Sequence, residues 1–402
     1  MISIYKLLVF FIFVVHISTA AASITIALLT LAVLFRGFKY KEWPKVDKAI
    51  ACVFVAYFVF QIIIAVFSLD FQVSIREVVG EIYRSFLLFF AMIFIENFKQ
   101  LRAILIAFLI ASLLNDLAGL YQSFILLERP RGLTHWPTMF ASVLLMQFPL
   151  QIFIASLSIM PQWSRILSGL AAILTLLCLI LSQTRGAWLA FLAVLIIFVL
   201  INKNYRVNAL KLFSVILIGF MLISIKFPNL STRVVSISDM NSATIKERFL
   251  MWESASNIFK DYPIHGIGQG MFTDMYNTKY ILPEAKERPS ATNKGHDHPH
   301  NNFMKFLCEG GILGAFSFII LHGYFFQRLY RLYRQEQTKM RFSAGLTGIL
   351  VFLGIHFEGL TETNIVLAPI MREYWFLIGT FLIAGKICYN GNRLKLGKSN
   401  IS

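Results

Sequence analysis

Apolar runs of roughly 20 residues recur along almost the whole chain, separated by short polar stretches. Runs of that length predict helices that cross a bilayer, whereas membrane strands would leave shorter alternating segments. The runs fall at approximately 4–17, 20–35, 49–67, 78–95, 102–127, 136–159, 164–183, 187–201, 210–225, 301–326, 343–360 and 372–389. They predict an all-α, polytopic integral membrane protein with about 12 transmembrane helices. The first 35 residues divide into two short spans. Lys6, the apolar run Leu7 to Val15 and Ser18-Thr19-Ala20 also have the layout of a cleavable signal peptide. The next apolar run follows at once, which favours a hairpin of two helices.

One polar interval interrupts this pattern, the segment 226–300. It is too long for a plain connection, and long connections inside compact domains tend to carry function. Ile245, Phe249, Trp252, Ser256 and Phe259 recur at helical spacing and predict an amphipathic helix over about 243–260. Pro263 and Gly266 end it, and a second short helix fits around 270–281. The chain thus divides into helices 1–9 (1–225), a loop or lid (226–300), and helices 10–12 with a basic tail (301–402).

Composition agrees: 57% of residues are hydrophobic, 14% are charged, and mean hydropathy is +0.68. A net charge of +16 could point to nucleic acid. The distribution points to membrane orientation instead, so no nucleic-acid partner is expected. With the N-terminus inside, the cytoplasmic loops collect Arg36, Lys39, Lys41, Lys45, Lys48, Lys99, Arg102, Arg165, Lys203, Arg206, Lys211, Arg328, Arg331, Arg334, Lys339 and Arg341. The short loops opposite hold only Arg76, Arg84, Arg129, Arg131, Arg185 and Arg372. This asymmetry places 226–300 outside the cytoplasm. The cysteines Cys52, Cys178, Cys308 and Cys388 lie in or beside apolar runs without CxxC spacing and read as packing residues.

The candidate chemistry clusters where the long loop re-enters the apolar region, at Gly295-His-Asp-His-Pro-His-Asn-Asn302. Pro299 predicts the first turn of a helix with His300 and Asn301 at its opening. Backbone N–H groups at a helix start favour an anion, and a histidine there can exchange a proton near neutral pH. A histidine that merely caps the helix would leave the same trace. In an extended segment His296, His298 and His300 would share one face, which raises a metal site, but the spacing lacks a zinc signature and no metal is expected.

Arginines supply the complementary chemistry. Arg185 lies in Leu181-Ser-Gln-Thr-Arg-Gly-Ala-Trp188, between two apolar runs with almost no loop, where a charge is costly unless it faces a polar cavity. Arg233 and Arg248 lie in the long loop, and guanidinium groups bind phosphate oxygens in bidentate fashion. Taken singly, either could be a surface charge. Arg129 and Arg131 form a further external pair suited to lipid headgroups or a sugar phosphate. Glu309 falls nine residues, roughly 13 Å, beyond His300 on the expected helix, where it could pair with a buried cation or orient the site. Gly310 and Gly314 suggest close helix packing, and Gly266-Ile-Gly-Gln-Gly270 suggests a turn.

Three patterns taken together resemble a known family. They are Ser182-Gln-Thr-Arg-Gly-Ala-Trp188; Arg248-Phe-Leu-Met-Trp252 followed by Pro263-Ile-His-Gly-Ile-Gly268; and His298-Pro-His-Asn301 leading to Glu309-Gly-Gly-Ile-Leu-Gly314. From about 180 to 315 the chain resembles the O-antigen ligase superfamily, which also holds O-antigen polymerases and protein oligosaccharyltransferases. The resemblance implies a metal-independent, cofactor-free glycosyltransferase of the GT-C type in the bacterial inner membrane, with its active site facing the periplasm. It implies a glycan on undecaprenyl diphosphate as donor and, in the ligases, a sugar hydroxyl of lipid A-core as acceptor. His300 matches the family's histidine before asparagine, with His298 as the second choice. Arg185 matches the arginine at a helix end, Arg248 a lid arginine, and Arg233 is a candidate by position. These would bind the diphosphate, with Asn301 and Glu309 supporting. A polymerase with a lipid-linked repeat as acceptor is the nearest rival, and a transporter of anionic or lipid-linked solutes the rival of another class.

Overall fold

The computed structural model describes residues 4–201, 206–227, 229–239, 242–286, 298–336 and 343–399. It is helical: α1 (Ile4–Val14), α2 (Thr19–Tyr40), α3 (Lys48–Val66), α4 (Phe71–Phe94), α5 (Phe98–Phe124), α6 (Pro137–Ser156), α7 (Gln162–Leu181), α8 (Arg185–Ile201) and α9 (Arg206–Lys226) precede the long loop. The loop carries α10 (Asn229–Ser238), α11 (Ala243–Asp261), α12 (Phe272–Met275) with a π-helical turn Tyr276–Tyr280, and α13 (Pro283–Lys286). Then come α14 (Asn302–Glu336), α15 (Ala344–Glu358) and α16 (Ala368–Ser399). Each of the twelve apolar runs coincides with a helix, and the amphipathic helix predicted over 243–260 is α11. Among the described residues, six helices are long and apolar enough to cross a membrane: α2, α3, α5, α6, α7 and α14. The apolar helices α1, α8 and α15 and the stretch Ile216–Lys226 of α9 are shorter. This is a multi-pass helical membrane protein.

Side-chain caps explain several helix starts. Asp47 accepts from the N–H groups of Ala49 and Ile50, Asp70 from Gln72 and Val73, Asn97 from Gln100, and Ser343 from Leu346. The Asp70 cap begins α4 seven residues before the predicted 78, so Arg76 and Arg84 sit on a helix and not in a loop. Their charges had broken the apolar run. Arg372 likewise lies on α16, donating to the Thr19 carbonyl (3.1 Å) and Ser23 Oγ (2.6 Å).

The core runs through α1, α4, α5, α6 and α16, with Phe11, Phe108, Phe153, Tyr374, Trp375, Phe376 and Phe381 among its largest buried side chains. The outward faces of α2, α3 and α7 stay apolar, as at Leu31, Val55 and Ile173, which suits lipid and not water. Asp47 and Arg328, predicted on one side, meet at 2.9 Å. The loops predicted on the other side interlock around His300.

The predicted tenth span is not one continuous helix. Gly311 takes φ 61° and ψ −154°, which breaks α14. A break inside apolar surroundings strands backbone donors and acceptors. Here the long loop satisfies them. Ile267 and Gly268 N–H donate to the carbonyls of Cys308 and Glu309 (3.2 and 2.8 Å), while Ile312 and Leu313 N–H donate to Pro263 and Ile264 (2.8 and 3.2 Å). Two glycines permit this approach. A Cβ on Gly266 would lie 2.3 Å from the Glu309 carbonyl carbon, and one on Gly311 would lie 2.5 Å from that of Ile264. The glycine run 266–270 is therefore a turn, as read, and its task is to seat the lid in the broken helix.

Candidate functional site

Two short segments cross at the mouth of the bundle: 298–302, entering α14, and 359–364, joining α15 to α16. Asn302 N–H donates to the Gly359 carbonyl (2.8 Å) and its side-chain amide to Asn364 Oδ1 (2.8 Å). Asn301 donates through its N–H to Thr363 Oγ1 (3.0 Å) and through Nδ2 to the Leu360 carbonyl (2.9 Å). Its Oδ1 accepts from Met304 N–H (3.1 Å), capping α14. Asn301 thus has a supporting role of a specific kind: it fixes the residue before it. Pro299 is not in the first helical turn, as the sequence reading had it. Helix α14 starts at Asn302, and His300 stands just outside in the left-handed region (φ 49°). That strained backbone is held by the bonds on either side.

The strain aims His300 at a carboxylate. His300 Nδ1 lies 2.6 Å from Glu362 Oε1, which also accepts from Thr363 N–H (3.1 Å). His298 stacks edge-on against His300 with centroids 4.5 Å apart, and its Nδ1 accepts from the His300 N–H (3.4 Å). On the carboxylate's other side Arg248 Nη2 lies 3.7 Å from Oε2. Glu362 is 6% exposed, and burial alone would raise its pKa. The His300 hydrogen bond and the charges of His300, His298 and Arg248 outweigh burial and bring it from 4.5 to about 2. An ionised Glu362 takes the Nδ1 proton of His300 as a hydrogen bond and puts the basic lone pair on Nε2.

The arginines gather beside this pair. Arg185, at the start of α8, donates from Nη1 to the carbonyl (2.8 Å) and Oγ (3.1 Å) of Ser236 in α10. It lies within electrostatic reach of Arg248 and Arg233. Ser236 Oγ in turn donates to the Arg233 carbonyl (2.7 Å). Arg129 departs from the headgroup role expected of it. It turns inward and donates from Nε and Nη2 to the Ser182 carbonyl (3.1 and 2.8 Å) at the end of α7. Burial, and then the charge of Arg233, lower its pKa. The α7–α8 junction is sharp, with Gln183 at φ 53°, and puts Arg185 three residues beyond the Ser182 carbonyl that Arg129 holds. A cavity of about 520 Å³ opens here, lined by Glu128, Arg129, Gln183, Thr232, Arg233 and Ser236 among others. The lid closes on the histidines too, since Trp252 Nε1 of α11 donates to the Pro299 carbonyl (2.9 Å).

Of the predicted residues, the structure brings His298, His300, Asn301, Arg185, Arg233 and Arg248 into one neighbourhood. Glu309 is not there. It is fully buried and pairs with Lys305, the buried-cation role expected for it as one of two, and it accepts from Phe272 N–H (3.1 Å), so it pins the lid to α14. The kink at Gly311 frees the carbonyls of Cys308 and Glu309 for the lid. His296 lies outside the described residues. The sequence reading missed Glu362. Its signal was a second polar interruption, Glu358-Gly-Leu-Thr-Glu-Thr-Asn364, between two apolar runs on the same side as the lid.

Chemically, the arrangement can hold a polyanion on its arginines and move a proton through His300. One ligand atom each from His298, His300 and Glu362 also lie within 4.8 Å of one another, a spacing that could receive a metal ion. Residues 170–319 match the family described as O-Antigen ligase. That stretch includes Arg185, Arg233, Arg248, His298 and His300 and ends before Glu362. No curated protein matches the chain.

Proposed function

We propose that this membrane glycosyltransferase-like protein, whose residues 170–319 match the O-antigen ligase family, is an O-antigen ligase. It transfers a glycan from undecaprenyl diphosphate to a sugar hydroxyl of lipid A-core, on the periplasmic face of the bacterial inner membrane. The observation that carries the reading is the His300–Glu362 contact with Arg248 on the carboxylate's other side, and Arg185 and Arg233 within electrostatic reach of Arg248 or of each other.

In the reaction, the bond between the anomeric carbon and the diphosphate oxygen breaks as the bond to the acceptor oxygen forms. The diphosphate leaves with an added negative charge, which preplaced guanidinium groups stabilise more strongly in the transition state than in the ground state. The acceptor hydroxyl proton goes to His300 Nε2, and Glu362 stabilises the resulting imidazolium and holds the ring in orientation. One displacement inverts the anomeric carbon. The lid restricts water, which would otherwise compete as acceptor. No metal is assigned a step.

The test is transfer in proteoliposomes with undecaprenyl-diphosphate glycan, supplying lipid A-core or a lipid-linked repeat separately as acceptor. Glycan on lipid A-core with wild type, lost in His300→Ala and Arg185→Ala, is the expected result. Elongation of the lipid-linked repeat alone would make the protein a polymerase. Transfer to neither acceptor would overturn the enzyme reading in favour of transport.

A further inference from the structure

A second cavity, of about 320 Å³, lies between α4, the lid turn and the first turns of α14. It shares no lining residue with the arginine-rich cavity, and His298, which packs edge-on against His300, is part of its wall. Its charged lining is balanced: Glu77, Glu81 and Arg84 from α4 face Lys305 from α14, with Thr273 contributed by the lid. The charges are also held in place. Tyr57 Oη donates to Glu81 Oε1 (2.6 Å), and Lys305 is paired with Glu309. The lid backbone closes directly on Glu77: Gly270 stands at φ +77°, and a Cβ there would lie 3.1 Å from Glu77 Cγ. Ser74 Oγ donates to the Gln269 carbonyl (3.1 Å), fixing that closure.

We infer that this cavity binds the acceptor, as one or two uncharged sugar rings that present the attacking hydroxyl to the histidine pair. The assignment rests on the glycan-transfer reading above. In that reading the donor's anomeric carbon is bonded to the diphosphate and so sits beside the arginines. An in-line displacement needs the acceptor oxygen to approach from elsewhere, past the histidines. Sugar hydroxyls both donate and accept, which matches a wall that carries two carboxylates, two cations and the Thr273 hydroxyl, with no excess charge to call for an ionised ligand. The volume lies at the small end of ligand sites, about 300–1,000 Å³, so it suits a ring or two and excludes a polyprenyl chain.

The experiment compares Glu77→Gln and Thr273→Trp with wild type in the proteoliposome assay, varying donor and acceptor separately with whichever of the two acceptors the wild type uses. Loss of one hydrogen bond to a charged group is expected to raise the acceptor KM of Glu77→Gln about tenfold or more, with donor KM within about twofold. Thr273→Trp, which fills the cavity, is expected to act in the same direction. Acceptor KM unchanged in both variants, or a rise in donor KM instead, would overturn the assignment and leave glycan transfer standing. Wild type inert toward both acceptors would overturn both.

Discussion

Replacing Glu362 by Gln removes the negative charge under His300 and keeps the side chain's size and the oxygen that accepts from Thr363 N–H (3.1 Å). The magnitude follows from the carboxylate itself. Held at about 2 against an ordinary 4.5, Glu362 is favoured in its charged form by about 3 kcal/mol beyond the cost of burial, at ~1.4 kcal/mol per pKa unit. The His300 hydrogen bond and charge head the causes that lower it, ahead of His298 and Arg248, and an imidazolium formed on His300 loses a stabilisation of up to that order when the charge is gone. If it is realised in the transition state, about 3 kcal/mol corresponds to roughly a hundredfold fall in turnover. The assay is the initial rate of glycan transfer in proteoliposomes at saturating donor and acceptor, with thermal unfolding in detergent as the control for folding. Turnover of Glu362→Gln is expected to fall roughly a hundredfold with donor KM little changed, because the arginines are intact. A turnover within threefold of wild type, in a variant that unfolds at the wild-type temperature, would refute the coupled pair.

Further outcomes follow from the same geometry. Because the Glu362 pKa is depressed on folding, its contribution to stability is fully present above 4.5 and is lost as pH falls towards 2. The stability difference between wild type and Glu362→Gln, from denaturant titrations, should therefore be level above about pH 5 and shrink below it; a difference that grew on acidification would have the wrong sign. Arg185→Ala should lower kcat/KM for the donor roughly a hundredfold, the scale of removing one preplaced donor from a developing anion, and a normal value would take Arg185 out of the diphosphate site. Gly311→Ala places a Cβ 2.5 Å from the Ile264 carbonyl carbon at positive φ. It should cost about 2 kcal/mol or more in stability, read as a fall in the unfolding temperature. Transfer should survive EDTA. If EDTA abolished it and a divalent cation restored it, His298, His300 and Glu362 would be metal ligands.

Much of the helical framework was legible because a bilayer imposes one dominant period and length. Every apolar run became a helix, and the Lys and Arg asymmetry grouped loops that the fold then interlocks. The boundaries failed where charge entered a helix. Arg76 and Glu77 cut the apolar run of α4 short at 78, but Asp70 caps a helix that starts at Phe71, seven residues before that run begins. A hydropathy pattern reads such residues as loop because it assumes a lipid-facing surface; on α4 several of them line a polar cavity. The break at Gly311 was hidden for a related reason. Glycine pairs in membrane helices usually permit close packing, and nothing local distinguishes that use from a left-handed turn whose freed backbone groups are satisfied by residues 263–268, more than forty positions away.

The site was half legible for the same physical reason. His298, His300 and Asn301 are adjacent in sequence, and Arg185 and Arg248 each stand out against an apolar or amphipathic background. Glu362 is some sixty residues from the histidines, and its role exists only because two re-entrant segments cross. The crossing has a specific cause. Asn301 and Asn302 spend their side-chain amides on the segment 360–364, and this forces the backbone of His300 into the left-handed region that turns its imidazole onto the carboxylate. Glu309 lies before the break, and its pairing with Lys305 one turn back follows from the helix; Phe272, which the docked lid brings to it, does not. Position along a helix predicts a neighbour only while the helix continues; once it breaks, the groups it releases decide what comes close. Here they draw in the lid, and the lid brings Trp252 to the Pro299 carbonyl beside the histidines. Closing the helix break and assembling the site are thus one packing event, so variants that loosen the Gly266–Gly311 contact should lose activity along with stability.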